Sequence, residues 1–153
     1  MTKTISLIVA LLLSFATTQA QDSTAFKFSF NHLALSVKDV DRAAEFYKKV
    51  LGLAEITNRT QKPGIRWVSL GGGKELHLVS TIKAPVTINK AVHMALTTPD
   101  FFGFLRRLEQ NKIPYSDWEG ASQKITTRAD GILQLYFQDP DGYWIEVNSA
   151  DTK

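Results

Sequence analysis

The chain has 153 residues, 44% of them hydrophobic, with no cysteine and a formal net charge of +3 at pH 7. This length suits one domain of ordinary size, and the absence of cysteine excludes both a disulfide framework and a lipid-attachment cysteine. The small net charge argues against a nucleic-acid-binding surface, which needs basic residues clustered on one face.

Residues 1–20 have the pattern of a secretory signal peptide rather than of a folded segment. Lys3 precedes an apolar run from Ile5 to Ala16, and small and polar residues then lead to Ala20. A membrane-spanning helix needs about 20 apolar residues, so this run is too short for an anchor. We therefore predict cleavage after Ala20, a mature chain that begins at Gln21, and a periplasmic or secreted protein.

Two segments have the residue spacing of amphipathic helices. The first begins near Asp39 or Asp41 and ends at Gly52, with apolar residues at three- and four-residue intervals between them. The second is predicted to begin with Thr98 as its N-cap and to end before Asn111. Each helix has one apolar face to bury against a sheet.

Segments with period-two hydrophobicity around these helices predict eight β-strands. They cover residues 30–37, 53–58, 65–70, 75–80, 91–97, 114–118, 131–138 and 142–148. The order strand, helix, three strands therefore occurs twice within one domain of residues 28–149, in modules of about residues 28–80 and 90–149. Because each module is too small to bury its own helix and sheet, we predict an α+β fold in which two paired βαβββ modules form a curved mixed sheet around one cleft, with the two helices on the outside.

Every histidine of the chain lies at a polar position of a predicted strand, and so does one glutamate. His32, His77, His93 and Glu146 each alternate with apolar neighbours. Since alternate side chains point to opposite faces of a sheet, the apolar residues should face the helices and these four the other face. A glutamate buried there would be costly without a cation or hydrogen-bonding partner. The four residues therefore predict one divalent-metal site, for zinc, nickel, manganese, cobalt or iron, with open positions for water or substrate.

The motifs that contain these residues resemble those of the vicinal oxygen chelate superfamily. They are NHLALSV around His32, LHL around His77, VHMAL around His93 and DPDGYWIEVN around Glu146. The last motif is the most specific, because Asp139 to Gly142 make a tight turn that leads into the strand with Glu146. The superfamily includes glyoxalase I, methylmalonyl-CoA epimerase, fosfomycin-resistance enzymes, extradiol dioxygenases and metal-free bleomycin-binding proteins.

The resemblance implies that His32, His93 and Glu146 occupy the metal positions that metal-using members share, and that His77 occupies an optional fourth position. Glyoxalase I usually has a glutamate in that fourth place, so this site would hold one carboxylate rather than two. A divalent ion would then keep a net positive charge and be a stronger Lewis acid, but the site would lack one base for proton transfer. Glu146 is expected to be both a ligand and a proton carrier.

The leading functional hypothesis from this resemblance is a metal-dependent lyase or isomerase of the glyoxalase type, acting on neighbouring oxygens of a small-molecule substrate. A ring-cleaving dioxygenase is the second hypothesis, but such enzymes normally use a further active-site histidine, and none remains here. A non-catalytic antibiotic-binding protein is the third, although such proteins commonly lack the metal residues. Neither nucleic acid nor, after signal cleavage, a membrane is expected as a partner, and a homodimer with modules swapped between chains stays open.

Overall fold

The computed structural model describes residues 26–150, and the predicted signal peptide lies outside them. Within this range no helix is long and apolar enough to cross a membrane. The helices are α1 (Val40–Lys49) and α2 (Phe101–Gln110). The strands are β1 (His32–Ser36), β2 (Glu55–Ile56), β3 (Ile65–Gly71), β4 (Lys74–Val79), β5 (His93–Thr97), β6 (Tyr115–Ser116), β7 (Thr126–Thr127), β8 (Leu133–Gln138) and β9 (Trp144–Asn148).

The two modules each form one mixed sheet. The first sheet has the order β1-β4-β3-β2, and the second has β5-β9-β8-β6 with β7 also paired to β8. In each module the opening strand runs parallel to the last strand, while the remaining pairs are antiparallel. The predicted α+β fold of two βαβββ modules is therefore confirmed. The extra strand β7 was not predicted, because two residues are too few to show an alternation.

The helix starts depend on two aspartates. The Asp39 carboxylate accepts hydrogen bonds from the backbone N–H groups of Asp41 and Arg42, which confirms the predicted start of α1. The predicted N-cap of α2 was wrong by two residues. Asp100 is the N-cap, since its carboxylate accepts the Gly103 N–H at 2.8 Å, whereas the Thr98 hydroxyl accepts the Asp100 N–H one turn earlier.

One hydrophobic core contains both helices and the apolar faces of both sheets. The ring of Phe137 in β8 lies 6.3 Å from that of Phe46 in α1 and 5.7 Å from that of Phe104 in α2. Because α1 packs on its own sheet and also contacts the apolar face of the second sheet, this helix lies between two separate sheets. The predicted position of α1 on the outside of one curved sheet was therefore wrong. The opposite faces of the sheets therefore point away from this core.

The turn between β8 and β9 ties the second module to the first. The Tyr47 hydroxyl of α1 donates to Asp139 Oδ2 at 2.8 Å, and the Tyr143 hydroxyl donates to the Ser36 carbonyl oxygen at 2.9 Å. The Asp139 carboxylate also accepts the backbone N–H groups of Asp141 and Tyr143. Burial nevertheless raises the pKa of Asp139 above its ordinary value. The charged form of Asp139 is therefore stabilised by these hydrogen-bond donors.

We expect Tyr47→Phe to lower the free energy of unfolding by about 1–3 kcal/mol, because the buried Asp139 carboxylate loses a donor that water cannot replace. Tyr47 is fully buried, so the ring itself stays packed. Urea unfolding of the variant and the wild type measures the difference. Tyr115→Phe is the matched control, since its hydroxyl contacts Glu109 at 3.2 Å in a partly exposed pair. Equal stability of Tyr47→Phe and the wild type would contradict the prediction.

Candidate metal-binding site

His93 and Glu146 lie side by side on the outward face of the second sheet. Their strands β5 and β9 are neighbours, and His93 Nε2 is 3.4 Å from Glu146 Oε2. Two donors that each lie about 2.1 Å from one ion in tetrahedral geometry are about 3.4 Å apart. The pair therefore has the separation expected of two ligands to one metal.

The imidazole of His93 is oriented by the main chain. Its Nδ1 lies 2.9 Å from the carbonyl oxygen of Lys90. A carbonyl oxygen only accepts hydrogen bonds, so Nδ1 carries the proton and the neutral ring has its lone pair on Nε2, the atom beside Glu146. Metal-binding histidines commonly have an outer acceptor of this kind.

Glu146 is 7% exposed and both of its oxygens accept hydrogen bonds. The Tyr136 hydroxyl donates to Oε2 at 2.6 Å, and the Asn148 side-chain amide donates to Oε1 at 2.8 Å. Burial, followed by the adjacent Glu146 carboxylate, raises the pKa of Tyr136 well above its ordinary value, so this hydroxyl stays a donor. The Gln134 amide donates in turn to the Tyr136 oxygen at 2.9 Å.

These supporting residues were not identified from the sequence. Gln134, Tyr136 and Asn148 share a face with Glu146, because they occupy alternate positions of the paired strands β8 and β9. The alternation of polar and apolar residues that identified Glu146 as a candidate therefore applies to these three residues as well.

His32 and His77 form a second pair, on the outward face of the first sheet. Their rings are stacked with centroids 4.2 Å apart, and the other neighbour of His77 is the ring of Trp67, stacked at 4.0 Å. The Arg59 guanidinium lies 5.1 Å from the centroid of Trp67. Trp67 Nε1 is buried without a hydrogen-bond partner among the described residues. This face therefore has hydrogen-bonding capacity that the described part of one chain does not use.

Each histidine of this second pair also has an outer acceptor. His32 Nδ1 lies 2.7 Å from the side-chain oxygen of Asn31, and His77 Nε2 lies 2.8 Å from Glu75 Oε2. The bond from His77 is the main cause that lowers the pKa of Glu75, and Arg59, at 2.6 Å from Glu75, lowers it further. Each neutral imidazole thus keeps a lone pair on its other nitrogen, available to a metal.

The four predicted ligands come together as two pairs and not as one cluster. Within residues 26–150 of one chain, no group of three or more His, Cys, Asp or Glu side chains is placed to hold a metal. The physical reason is that the two pairs belong to different sheets, His32 and His77 to neighbouring strands of the first and His93 and Glu146 to neighbouring strands of the second. His93 and Glu146 make one half of a site, and His32 and His77 make the other.

Two apolar cavities lie between the β1 edge and the second sheet, and both include His93 in their lining. One has a volume of about 370 Å³ and the other of about 420 Å³. The first is lined by Leu33, Ala34, Leu35, Ser36, Tyr47, Val86, Val92, His93, Met94, Tyr143, Trp144 and Ile145. The second is lined by Phe30, Leu33, Leu70, Lys74, His93, Met94, Ala95 and Leu96. Glu146 lines neither cavity.

Comparison with known proteins agrees with this fold. Residues 29–147 match the family model described as Glyoxalase/Bleomycin resistance protein/Dioxygenase superfamily. The chain is 26% identical over 165 residues to a lactoylglutathione lyase of Pseudomonas putida, a match that covers 86% of this chain and 90% of the relative. It is 27% identical over 131 residues to the metallothiol transferase FosB of Staphylococcus epidermidis, with 82% and 84% covered.

Solved structures show the same likeness of fold. The crystal structure of lactoylglutathione lyase from Agrobacterium tumefaciens superposes with a TM-score of 0.60 at 21% sequence identity. The superposition covers 80% of this chain and 93% of that chain. At this identity the likeness concerns the arrangement of helices and strands alone.

Proposed function

Because the chain belongs to the glyoxalase/bleomycin resistance protein/dioxygenase superfamily, we propose that it is a metal-dependent enzyme with His32, His77, His93 and Glu146 as metal ligands. The observation that carries this proposal is the 3.4 Å separation of His93 Nε2 and Glu146 Oε2. Hydrogen bonds from Tyr136 and to Lys90 hold both side chains in place. Pre-oriented donors of this kind are typical of metal sites.

Three imidazoles and one carboxylate suit zinc, nickel, manganese, cobalt or iron. When bound, such an ion would supply a Lewis acid for two neighbouring oxygens of a small substrate. One carboxylate leaves the site with a net positive charge, which favours a substrate oxygen with negative character.

We further propose that a second copy of the chain completes the site. One chain offers two ligands on each of two outward faces, and two protein ligands are fewer than the three or four of ordinary zinc sites. In a dimer with twofold symmetry, His32 and His77 of one copy can meet His93 and Glu146 of the other, and the symmetry makes two equal sites. This arrangement would give a homodimer, which the sequence left open, a role in catalysis.

Exposed apolar residues beside both half-sites support an interface there. Phe28 and Phe30, which precede His32, are 92% and 56% exposed. Val92 is 66% exposed next to His93, and Trp118 is 43% exposed with its ring 6.2 Å from that of His93. Clusters of large apolar side chains on a surface commonly mark a protein contact.

The reaction that we propose is a lyase or isomerase step of the glyoxalase type. Glu146 is the group for proton transfer, because its Oε2 lies at the site and the three histidines are used as ligands. The Tyr136 hydroxyl keeps its own proton and holds the Glu146 carboxylate in one orientation. Glu146 Oε2 would accept a proton from a substrate carbon and return it to the neighbouring carbon or oxygen.

An activity screen of the metal-loaded protein tests the reaction class. Small 2-oxoaldehydes with a thiol, epoxides with a thiol, and catechols represent lyase, thiol-transferase and dioxygenase chemistry. We expect turnover of the first class and its loss in Glu146→Gln. Ring cleavage of a catechol would favour the dioxygenase alternative, and metal binding without turnover of any class would favour a binding protein.

We expect Tyr136→Phe to weaken metal binding by about 10- to 100-fold, the usual effect of losing a residue that orients a ligand. The change removes the donor to Glu146 Oε2 and keeps the ring. Titration against a chromogenic chelator measures the affinity. Tyr115→Phe again serves as the control, since its hydroxyl contacts Glu109 away from the site. Unchanged affinity in Tyr136→Phe would show that this hydrogen bond does not support a ligand.

We also propose that the protein is exported, on the evidence of residues 1–20. A mature chain that begins at Gln21 is expected in the periplasmic or extracellular fraction. Mass spectrometry of the intact exported protein measures its first residue. An exported protein that retains Met1 would contradict cleavage.

A further inference from the structure

Lys90 has its ammonium group inside a cage of three aromatic rings. Its Nζ lies 4.8 Å from the ring centroid of Tyr136, 4.9 Å from that of Trp144 and 5.9 Å from that of Trp118. These distances are within the range of cation–π attraction. The rings come from β8, β9 and the loop after β6, so the cage stands on the outward face of the second sheet.

The same ammonium group is bound by the end of β6 and the loop after it. It donates to Ser116 Oγ at 3.1 Å, to the Trp118 carbonyl oxygen at 3.0 Å and to the Asp117 carbonyl oxygen. An ammonium has three N–H donors, so these contacts use its full capacity. Lys90 is therefore engaged within the chain and does not present its charge to a substrate.

Lys90 is also connected to both ligands of the second module. Its own carbonyl oxygen accepts the His93 Nδ1–H at 2.9 Å, while the cage residue Tyr136 donates to Glu146 at 2.6 Å. Hydrogen bonds from Ala91 N–H to the Asn89 side chain and from Val92 N–H to the Asn89 carbonyl make a tight turn around Lys90. The contacts of the Lys90 side chain thus hold the turn at Lys90 in place, and the carbonyl oxygen of this turn orients the His93 ring.

We propose that Lys90 is the positioning residue of the His93–Glu146 pair. Its caged ammonium fixes the turn, the fixed turn keeps His93 in the form with the proton on Nδ1, and Nε2 is thereby presented beside Glu146. This inference rests on the proposed metal site for its functional meaning. The state of the His93 ring tests it separately, without metal.

The test compares Lys90→Met, which keeps an unbranched side chain without the charge, with Lys90→Arg, which keeps a cation and several donors. Lys83→Met is the matched control, because it makes the same chemical change at an exposed position of the same connecting segment. The first readout is the nitrogen NMR signal of the His93 ring in metal-free protein at about pH 8, where an ordinary imidazole is neutral. The second is zinc affinity from chelator competition.

We expect the Nδ1–H form to dominate in the wild type and in Lys83→Met, to give way to a mixture of tautomers in Lys90→Met, and to return in Lys90→Arg. Zinc affinity should fall by about 10- to 100-fold in Lys90→Met, in step with the loss of an orienting contact. A residue that only fastens the loop would lower the melting temperature and leave the tautomer unchanged, and that result would overturn the proposal.

Two further outcomes are informative. If the wild type binds no zinc, the metal site fails, while the tautomer comparison still decides whether Lys90 orients His93. If Lys90→Met does not fold, Trp118→Leu replaces it, since Trp118 is 43% exposed and its removal opens one side of the cage without emptying the core. That variant should shift the tautomer in the same direction by a smaller amount, and a wild-type spectrum would refute the inference.

Discussion

We expect His93→Ala and Glu146→Gln each to abolish stoichiometric metal binding, whereas His77→Ala should retain part of it. His93 and Glu146 are the close pair, so the loss of either leaves one donor on that face. Glu146→Gln keeps the shape of the side chain and removes the charge that attracts a cation. The family resemblance implies that His77 occupies an optional fourth ligand position, so its loss should weaken the site less. Metal per chain, measured by atomic emission after gel filtration, is the readout.

Glu109→Gln is the control for the charge change, because the Glu109 carboxylate accepts a hydrogen bond from Tyr115 away from the site. This variant should bind as much metal as the wild type. If the wild type, offered zinc, nickel, manganese, cobalt or iron, holds no metal, the enzyme hypothesis is refuted and a non-catalytic binding protein takes its place. Full occupancy in Glu146→Gln would instead remove Glu146 from the ligand set.

The second large effect is expected from mixing two inactive variants. His32→Ala with His77→Ala removes the half-site of the first module, and His93→Ala with Glu146→Gln removes that of the second. Each double variant alone should bind no metal. In a heterodimer of the two, one site receives both intact halves and the other receives both altered halves, so about one ion per heterodimer should return.

Co-expression with two different affinity tags, followed by purification on both, isolates this heterodimer from the homodimers. Metal content and activity are then measured on the same sample. Recovery of metal to about half of the wild-type content per chain supports a site shared between copies. A heterodimer without metal would mean that each site uses the four residues of a single chain, since mixing cannot restore a site within one chain.

The sequence predicted the elements of the fold because its alternation is regular. Leu76 and Leu78 are fully buried in the core, and His77 between them lies on the opposite face, as strand geometry requires. The same rule separates Glu146 from the buried Ile145 and Val147. The start of α1 could be predicted because Asp39, one of the two candidate capping residues in the sequence, is the N-cap in the structure.

Other features depend on which of several suitable residues makes a given contact, and the alternation of apolar and polar residues does not show this. At the start of α2, Thr98 and Asp100 are both good capping residues, and the carboxylate of Asp100 accepts the helix N–H group while Thr98 forms the preceding turn. The strand β7 is only two residues long and depends on its pairing with β8. Neither outcome is visible in a pattern of apolar residues.

The packing of the two modules predicted from the sequence, one curved sheet with the helices outside it, was wrong because the alternation of apolar residues does not determine it. Apolar faces turned toward a common core and apolar faces on the outside of a closed cleft have the same alternation. Contacts such as Phe46 with Phe137 decide between them, and these connect distant parts of the chain. The sequence therefore predicted the faces of the ligands but not which faces meet.

Native mass spectrometry of the zinc-loaded wild type tests the shared metal site most directly. It measures the number of chains and the number of ions in the same particle, at protein concentrations above and below the dissociation of the dimer. We predict two chains with two ions in the dimer, and release of the ions when dilution separates the chains. A single chain that carries one zinc ion and keeps it on dilution would contradict a site completed by a second copy.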